Sequence, residues 1–399
     1  MCNNEFLIKT AIIIERLDVA LGGAERSISE LASQLAESGA EITILAAKGA
    51  SVTKNVKVLC QDWKGKRTPL NVFEAALKNH LQDNHYHIIH STLPFDFADI
   101  YQPRGGCYLE AMERNAASYR RGKSRELKKL THFFNTKRYA MMQAEKALCK
   151  SPGETIVAAL SDYVKRQFED CYDLPAEHIR VIKNGVAIIK QPDTTIAKQM
   201  RKGWLDKLAK DKSKEPVIFL FAANNFRLKG LMSLLVATKI AMSANLEREI
   251  CIVVAGNGKI RKYKRMAKKL GIAQNILFTG PLGQMQTAIS ASHIAVLPTF
   301  YDPCSRFILE AITSGKPVIT TRFNGASEMF ENYRHGVLIK DGDDINGLAD
   351  AIKYFTKIEN ITKARNAIAS DKLIDELSIK RHARQMVELY KWIIAGRSE

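Results

Sequence analysis

The sequence predicts an α/β protein with two parallel sheets, each covered by helices on both faces. Short, almost continuously apolar runs alternate along the 399 residues with longer segments of helical periodicity. This alternation is typical of parallel strand–helix–strand units. Ten such runs can be identified, which is more than a single sheet usually holds. A domain usually has about 100–200 residues, so the length also predicts more than one domain.

Helical periodicity between the apolar runs predicts the covering helices. After the first run, Ile28, Leu31 and Leu35 recur at helical spacing within Ala24–Ser38, which predicts an amphipathic helix. The ten apolar runs are predicted strands, and they are Thr10–Ile14, Ile42–Ala46, Tyr86–His90, Thr155–Leu160, Ile179–Ile182, Pro216–Ala222, Cys251–Ala255, Ile276–Phe278, Ile294–Pro298 and Pro317–Thr320.

A change of composition marks the predicted domain boundary. The first strand series ends near Asn184-Gly185, and Gln191–Glu215 is polar and rich in lysine before a new strand begins. We therefore predict a first domain over residues 1–185 and a second over 186–377. The last segment, 378–399, contains a predicted amphipathic helix over Ser378–Ile394, whose apolar stripe comprises Met386, Leu389, Tyr390 and Ile393.

Composition limits the class of protein and suggests an anionic partner. The hydrophobic content of 46% excludes a disordered or fibrous chain. The net charge of +18 favours nucleic acid, a membrane surface or a phosphorylated small molecule as partner. Charges interrupt the N-terminus, so no signal peptide is expected, and no apolar run is long enough to cross a membrane. Seven scattered cysteines without a CxxC pair predict reduced thiols in a cytosolic protein.

Loops that follow strands are the expected ligand sites, because open parallel sheets bind ligands at the carboxyl ends of their strands. The Gly22-Gly23 pair follows the first strand and precedes a helix, where an anion could approach the backbone. A plain tight turn is the alternative.

Arg227 and Lys229 follow the strand Pro216–Ala222, and two cations there suit a diphosphate. A solvated basic loop is the alternative.

The most informative loop leads from the strand Ile294–Pro298 into a helix. Asp302 ends the loop, and Glu310 lies two helical turns further on. Asp302 could cap the helix, bind a ligand or do both. A carboxylate within an otherwise apolar helix is costly unless it has a partner, so Glu310 is a candidate for binding a ribose diol. The backbone amides expected to be free at the helix start, and able to bind phosphate or sugar oxygens, are those of Cys304, Ser305 and Arg306.

The loop His90–Tyr108 is dense in polar, aromatic and glycine residues. It follows a strand, so it suits an acceptor, although ordinary loops have similar composition. Asp96 and Arg104 of this loop are the candidate acceptor-side residues.

In chain order these segments resemble family 4 of the retaining glycosyltransferases, which have the GT-B fold. The resemblance spans nearly the whole chain and is closest to enzymes that add a hexose to the lipopolysaccharide core, such as heptose α-1,3-glucosyltransferases. It implies two Rossmann-like α/β domains facing a cleft, with a C-terminal helix that crosses back to the first domain. The segments that carry it are Gly22-Gly23-Ala24-Glu25, Arg227-x-Lys229-Gly230, Ala255-Gly256-Asn257-Gly258, Asp302-x7-Glu310 and Gly315-Lys316-Pro317-Val318-Ile319.

The resemblance implies a role for each donor-side residue. Glu310 matches the acidic residue that binds the ribose, and Asp302 matches the one that holds the donor sugar with nearby amides. Arg227 and Lys229 match the basic pair on the diphosphate, and Gly23 matches the loop beneath the phosphates. The family usually has Glu at the position of Asp302.

The resemblance also implies the reaction. The chain is expected to be a retaining, metal-independent hexosyltransferase without a cofactor, acting from a nucleoside diphosphate sugar such as UDP-glucose onto a glycan or glycolipid acceptor. Asp99 is implied as an acceptor-positioning group or base, and no protein nucleophile is assigned. One alternative is a GT-B sugar-nucleotide epimerase or hydrolase. The other is a basic nucleic-acid-binding α/β protein, although no helix-turn-helix, zinc or RRM signature is present, and no nucleic-acid partner is expected.

Two basic clusters complete the expectations. The run from Arg120 to Lys129, within 104–150, is a candidate for docking on anionic lipid, with a solvated helix face as the alternative. This candidate predicts a cytoplasmic protein that is peripheral on the inner face of the membrane. The second cluster, Lys259–Arg265, is expected to be a solvated helix.

Overall fold

The computed structural model describes residues 7–17, 23–49, 55–65, 67–119, 136–188, 194–208, 216–244 and 246–397. These residues form two compact units, each with its own sheet. The first unit comprises Met1–Glu113, Glu126–Ala187 and Ser378–Glu399, and the second comprises Arg114–Arg125 and Ile188–Leu377.

The first unit is built on a parallel seven-stranded sheet with the strand order β3-β2-β1-β4-β5-β6-β7. The interior strand β1 is buried continuously from Thr10 to Ile14, because a parallel sheet is covered on both faces. The strands are β1 (Lys9–Leu17), β2 (Glu41–Gly49), β3 (Val56–Val58), β4 (Ile88–Ser91), β5 (Ile100–Tyr101), β6 (Ile156–Ala159) and β7 (Ile179–Val181).

The second unit contains a parallel six-stranded sheet with the strand order β10-β9-β8-β11-β12-β13. Every residue of β9 and of β11 is buried, as the apolar runs predict. The strands are β8 (Val217–Ala222), β9 (Ile250–Ala255), β10 (Ile276–Gly280), β11 (Ile294–Leu297), β12 (Val318–Thr321) and β13 (Gly336–Ile339).

Helices connect the strands and cover the sheets. In chain order the described helices are α1 (Gly23–Glu37), α2 (Leu70–Asp83), α3 (Tyr108–Ala117), α4 (Thr136–Lys150), α5 (Asp162–Tyr172), α6 (Thr194–Leu208), α7 (Leu231–Met242), α8 (Arg261–Lys269), α9 (Met285–Ala291), α10 (Arg306–Thr313), α11 (Ile345–Tyr354), α12 (Ile358–Ser370), α13 (Leu373–Glu376) and α14 (Ile379–Gly396).

The last helix, α14, belongs to the first unit although the whole second sheet precedes it in the chain. Its apolar stripe, which includes Met386 and Leu389, packs in the same core as β1 and α1. The Tyr390 hydroxyl lies 2.7 Å from Nδ1 of His90 on β4, and both side chains are fully buried. The predicted return of the final helix to the first domain is therefore confirmed.

The two parallel sheets confirm the predicted fold class, and all ten predicted strands are present with ends shifted by up to three residues. Three further strands, β3, β5 and β13, were not predicted. The first two are only three and two residues long, which is too short to produce a recognisable alternation. The third, Gly336–Ile339, is only four residues long and begins with a glycine, a residue that is uncommon in strands.

The units differ from the predicted domains at two places. Residues 186 and 187 belong to the first unit, because Val186 pairs with Ser378 and accepts a hydrogen bond from the Ile379 amide at 2.9 Å. The segment that begins at Arg114 belongs to the second unit instead of the first. The Arg114 guanidinium lies 3.8 Å from the centre of the Phe323 ring, and this stacking ties the segment to the loop after β12.

Candidate active site

Three neighbouring strands of the second unit, β8, β11 and β12, end at one edge of the sheet, and the predicted donor residues follow two of them. The loop after β8 approaches the loop after β11 closely, since the Phe300 amide donates to the Leu228 carbonyl at 2.9 Å. Gly230 makes this approach possible: its φ is +78°, and a Cβ there would lie 1.9 Å from the Pro298 carbonyl oxygen.

Lys229 and Asp302 form an ion pair at this edge. The Lys229 Nζ donates to Oδ2 of Asp302 and to the Tyr301 carbonyl, both at 2.7 Å. The Lys229 and Asp302 side chains are 19% and 15% exposed, respectively, so a ligand can reach them while much of the bulk water is excluded. The structure therefore brings together the predicted cation and the predicted first acidic residue, which are 73 positions apart in the sequence.

Asn324, which the sequence analysis missed, organises the start of α10. Its Oδ1 accepts from the amides of Ser305 at 3.0 Å and Ala326 at 3.1 Å, and its Nδ2 donates to Oγ1 of Thr320 at 2.9 Å. The Ser305 amide is thus already paired, in contrast to the prediction that it is free for a ligand. Asn324 lies three residues after β12 and is fully buried, so its amide group must find partners.

Arg306 and Glu310 form a second, more buried pair along α10. Nε and Nη2 of Arg306 donate to Oε1 of Glu310 at 3.0 and 2.8 Å, and the side chains are only 11% and 6% exposed. This pairing stabilises the carboxylate in an otherwise apolar helix. Among the described residues both bonds end on Oε1, so Oε2 of Glu310 is available to a further donor. Arg306 was predicted to contribute its backbone amide, and its side chain adds this second function.

Arg227 contacts the segment that follows Arg114. Its guanidinium donates to the carbonyl of Asn115 at 3.0 Å and to the Asn115 Oδ1 at 3.3 Å, bonds the Ser118 hydroxyl, and stacks 3.8 Å from the centre of the Tyr119 ring. These contacts differ from the predicted role on a diphosphate. Lys229, in contrast, points to the loop after β11, so the two members of the predicted basic pair have separate partners.

The predicted acceptor residue Arg104 lies beside the start of α1 in the first unit. Nη1 of Arg104 donates to Oε1 of Gln102 at 2.9 Å, and Nη2 bonds the hydroxyl of Ser27. Gly23 is the first residue of α1 and is exposed, whereas Gly22 lies outside the described residues. Asp96 is exposed in the turn between β4 and β5. Arg104 therefore contacts the N-terminal part of α1, the helix that begins at Gly23 beyond the carboxyl end of β1.

Asp99 lies at the opposite edge of the same sheet. It directly precedes β5, and its Oδ2 accepts from the Ile89 amide at 2.6 Å. Its Oδ1 forms an ion pair with Arg397, whose Nη1 also donates to the His87 carbonyl at 3.2 Å. Parallel sheets bind ligands at the carboxyl ends of their strands. The position and partners of Asp99 are therefore those of a structural residue, in contrast to the predicted acceptor-positioning or basic role.

Glu145 on α4 is a buried carboxylate that the sequence analysis did not identify. It accepts hydrogen bonds from the hydroxyls of Tyr101 and Tyr172 at 2.8 and 2.7 Å and from the Tyr108 amide at 2.7 Å. The last bond caps the first turn of α3, directly after the loop that carries Arg104. Burial raises the pKa of Glu145 to about 7, although the three hydrogen bonds oppose that shift.

We expect Glu145 to make stability depend on pH. Because its pKa in the folded protein is about 7, against 4.5 for an ordinary Glu, the folded state holds more protons between these values. The free energy of unfolding should therefore fall as pH rises from 5 to 8, by on the order of 2–3 kcal/mol from this group. Urea unfolding of Glu145→Gln should lack this decrease, and Glu41→Gln, a change at an exposed residue, should retain it. An equal decrease in all three proteins would contradict the assignment.

The described residues contain no group of three or more His, Cys, Asp or Glu side chains arranged to hold a metal ion. Among the same residues, no helix has the length and apolar character needed to cross a membrane.

Two family profiles match this chain, one on each unit. Residues 21–188 match "Glycosyltransferase Family 4", and residues 204–372 match "Glycosyl transferases group 1". The second match contains Lys229, Asp302, Arg306 and Glu310, and the first contains Gly23 and Arg104. The resemblance predicted from the motifs is confirmed by these matches.

Similar proteins agree with this grouping. The lipopolysaccharide glucosyltransferase WaaG of Escherichia coli K12 is 22% identical over 338 residues, which cover 80% of this chain and 82% of that protein. The sucrose-phosphate synthase of Thermosynechococcus elongatus superposes with a TM-score of 0.75 at 17% identity, covering 98% and 100% of the two chains. The Anabaena protein Alr3699/HepE, solved with UDP-glucose, superposes with a TM-score of 0.67 at 16% identity, covering 96% and 99%. These superpositions show the same fold.

Proposed function

We propose that this glycosyltransferase transfers a hexose from a nucleoside diphosphate sugar to a glycan or glycolipid. The chain belongs to glycosyltransferase family 4 through its first unit and to the glycosyl transferases group 1 through its second. The observation that carries the proposal is the partly exposed Lys229–Asp302 pair, which lies at the carboxyl edge of the second sheet and leads into the helix of Glu310. A cation, a sugar-binding carboxylate and a ribose-binding carboxylate are the groups that such a donor needs.

Lys229 stabilises the leaving group. Cleavage of the bond between the sugar and the phosphate leaves negative charge on the nucleoside diphosphate, and a fixed cation lowers the energy of that transition state. The bonds from Nζ to Tyr301 and Asp302 hold the ammonium in position before the donor arrives. Because the site is partly shielded from water, the interaction is stronger there than on an open surface.

Asp302 and Glu310 bind the sugars of the donor. Asp302 accepts from hydroxyls of the transferred hexose while its backbone is fixed by the loop after β12, since its amide donates to the Phe323 carbonyl at 2.8 Å and its carbonyl accepts from Gly325 at 3.0 Å. Oε2 of Glu310 accepts from the ribose. The acceptor binds in the first unit, where Arg104 is held at the start of α1.

UDP-glucose as donor and a lipopolysaccharide core as acceptor are the finer part of the proposal. The name of the WaaG relative and the UDP-glucose bound to Alr3699/HepE support them. Product analysis tests them: the purified protein is incubated with a panel of UDP- and GDP-hexoses and truncated lipopolysaccharide. We expect a new α-linked hexose from UDP-glucose, with the anomeric configuration retained. Rapid turnover of the donor without acceptor, or an inverted product, would contradict the proposal.

The reaction is proposed to need no resident metal, because Lys229 supplies positive charge where the diphosphate is expected. We therefore expect transfer rates in excess EDTA to equal those in buffer. A loss of activity that Mg²⁺ or Mn²⁺ restores would show that a divalent cation carries part of this charge.

We infer that the reaction takes place in the cytoplasm, at the inner face of a membrane. The described cysteines at positions 60, 107, 149, 171, 251 and 304 are free thiols, which suits a reducing compartment. The basic run from Arg120 to Lys129 lies outside the described residues, and its proposed contact with anionic lipid rests on its sequence. Flotation with anionic vesicles after charge reversal of this run tests that contact.

A further inference from the structure

Helix α8 carries an unusual concentration of positive charge. Between Glu249 and Asp302 the chain contains no acidic residue, and all seven of its Lys and Arg residues in that interval lie within Lys259–Lys269. Six of them belong to the nine residues of α8, and their side chains are exposed: Arg261, Lys262, Lys264, Arg265, Lys268 and Lys269. Within the described part of the chain, none of these six forms an ion pair with a carboxylate.

The opposite side of α8 fixes the helix to the second unit. Tyr263 and Ala267 are 2% and 1% exposed, and the Tyr263 ring packs at 5.7 Å, centre to centre, against Phe226. Lys264 Nζ lies 6.0 Å from the centre of the Phe278 ring. The cations are therefore presented on a rigid helix with a fixed orientation.

This arrangement destabilises the helix that carries it. Arg261 and Arg265, and likewise Lys264 and Lys268, are like charges four residues apart, and such pairs repel one another on a helix surface. The helix dipole adds no net cost, because Arg261 and Lys262 in the first turn oppose it while Lys268 and Lys269 in the last turn complement it. A surface that served solubility alone would mix charges of both signs. The pattern therefore indicates selection for an anionic partner.

The chemistry of the surface favours a bilayer over nucleic acid. The aromatic side chain of α8, Tyr263, is buried, so the helix offers no ring on which bases could stack. The surface also has no exposed large apolar side chain to insert into lipid, which predicts reversible, salt-sensitive binding to headgroups.

We propose that the basic face of α8 docks the protein on the surface of an anionic lipid bilayer. The sequence alone favoured a solvated helix at this position. The proposal builds on the proposed function, because a glycolipid acceptor would lie in such a bilayer. It concerns the second unit and is independent of the run from Arg120 to Lys129.

The test is flotation of the full-length protein with vesicles of phosphatidylglycerol and phosphatidylcholine. The variant carries Lys264→Glu, Arg265→Glu and Lys268→Glu, none of which was assigned to the catalytic site. Its matched control carries Lys380→Glu, Arg384→Glu and Lys391→Glu on exposed positions of α14, which changes net charge by the same amount. At about fivefold per cation lost, the α8 variant should bind at least about a hundredfold more weakly. The α14 control should bind like the unmodified protein, and about 0.5 M salt should abolish binding.

Several results would overturn the proposal. The first is that the unmodified protein does not bind anionic vesicles. The second is that the α14 control binds vesicles as weakly as the α8 variant. The third is that vesicle binding weakens only when the charges of Arg120, Arg121, Lys128 and Lys129 are reversed. Tight binding to a DNA duplex that the α8 variant loses, without vesicle binding, would assign the face to nucleic acid instead.

Transfer to a water-soluble acceptor fragment separates this proposal from the proposed function. The α8 variant should transfer to the soluble fragment at the unmodified rate and should be slower only with acceptor embedded in vesicles. Equal slowing on both acceptors would contradict a docking role. If the unmodified protein transfers to neither acceptor, the proposed function fails, while vesicle binding is still measured directly.

Discussion

Replacing Lys229 by alanine is expected to lower kcat/KM about 10²–10³-fold, the range observed when one preorganised donor to a developing anion is removed. Nζ of Lys229 is held 2.7 Å from both Asp302 Oδ2 and the Tyr301 carbonyl, so in the proposed mechanism it stabilises the departing diphosphate without reorganisation. Steady-state kinetics at saturating acceptor should place most of the loss in kcat, because the charge develops in the transition state.

Two further variants distinguish this electrostatic role from a structural one. Lys229→Arg keeps the charge but changes its geometry, and it should recover part of the activity. Lys239→Ala removes an exposed lysine from α7 of the same unit and should leave kcat/KM unchanged. Each variant should unfold within a few degrees of the unmodified protein, since the pair is partly exposed. Near-normal turnover in Lys229→Ala would remove Lys229 from the mechanism.

Replacing Glu310 by glutamine is expected to raise the Kd of the nucleoside diphosphate about 10–100-fold. A hydrogen bond to a charged group contributes about 1.5–3 kcal/mol, and each 1.4 kcal/mol corresponds to a factor of ten. Glutamine is preferred to alanine here because Arg306 is only 11% exposed. Alanine would leave this guanidinium without its counter-charge, which costs about 3–5 kcal/mol in a buried pair, whereas glutamine retains an acceptor for it.

Ribose analogues make this measurement specific. Calorimetry with the 2′-deoxy and 3′-deoxy nucleoside diphosphates should show weaker binding to the unmodified protein, and little additional weakening in Glu310→Gln. Such non-additivity identifies two groups that interact directly. Fully additive losses would indicate that Glu310 supports the fold of α10 and does not contact the ribose.

The long strands and the position of the donor loops were predictable from the sequence, whereas details that depend on short or distant contacts were not. Apolar runs such as Ile294–Pro298 identify β11, and the carboxyl ends of parallel strands necessarily share an edge, so Lys229 and Asp302 could be expected near one another. The role of Asn324 could not be predicted, because its bond to the Ser305 amide joins residues 19 positions apart in two loops with no common periodicity.

The misassignment of Asp99 has a specific physical cause. The strand that follows it, β5, is only two residues long, so the segment from His90 to Tyr108 appeared to be one continuous loop. A residue just before a parallel strand lies at the amino edge of the sheet, and a residue just after it lies at the carboxyl edge. Without β5, the sequence could not separate Asp99 from Arg104, which are on opposite edges. Arg306 and Glu310, four residues apart on a predicted helix, could have been paired in advance.

The return of α14 to the first unit has a consequence for how the protein folds during synthesis. Met386 and Tyr390 are completely buried in the core that β1 and α1 also form, and about 300 residues separate Tyr390 from its partner His90. The second unit has all of its strands before Leu377 has been added. Synthesis of the whole second sheet therefore precedes the helix that packs on the first sheet, and until α14 has been made the apolar surface that it covers is open to aggregation.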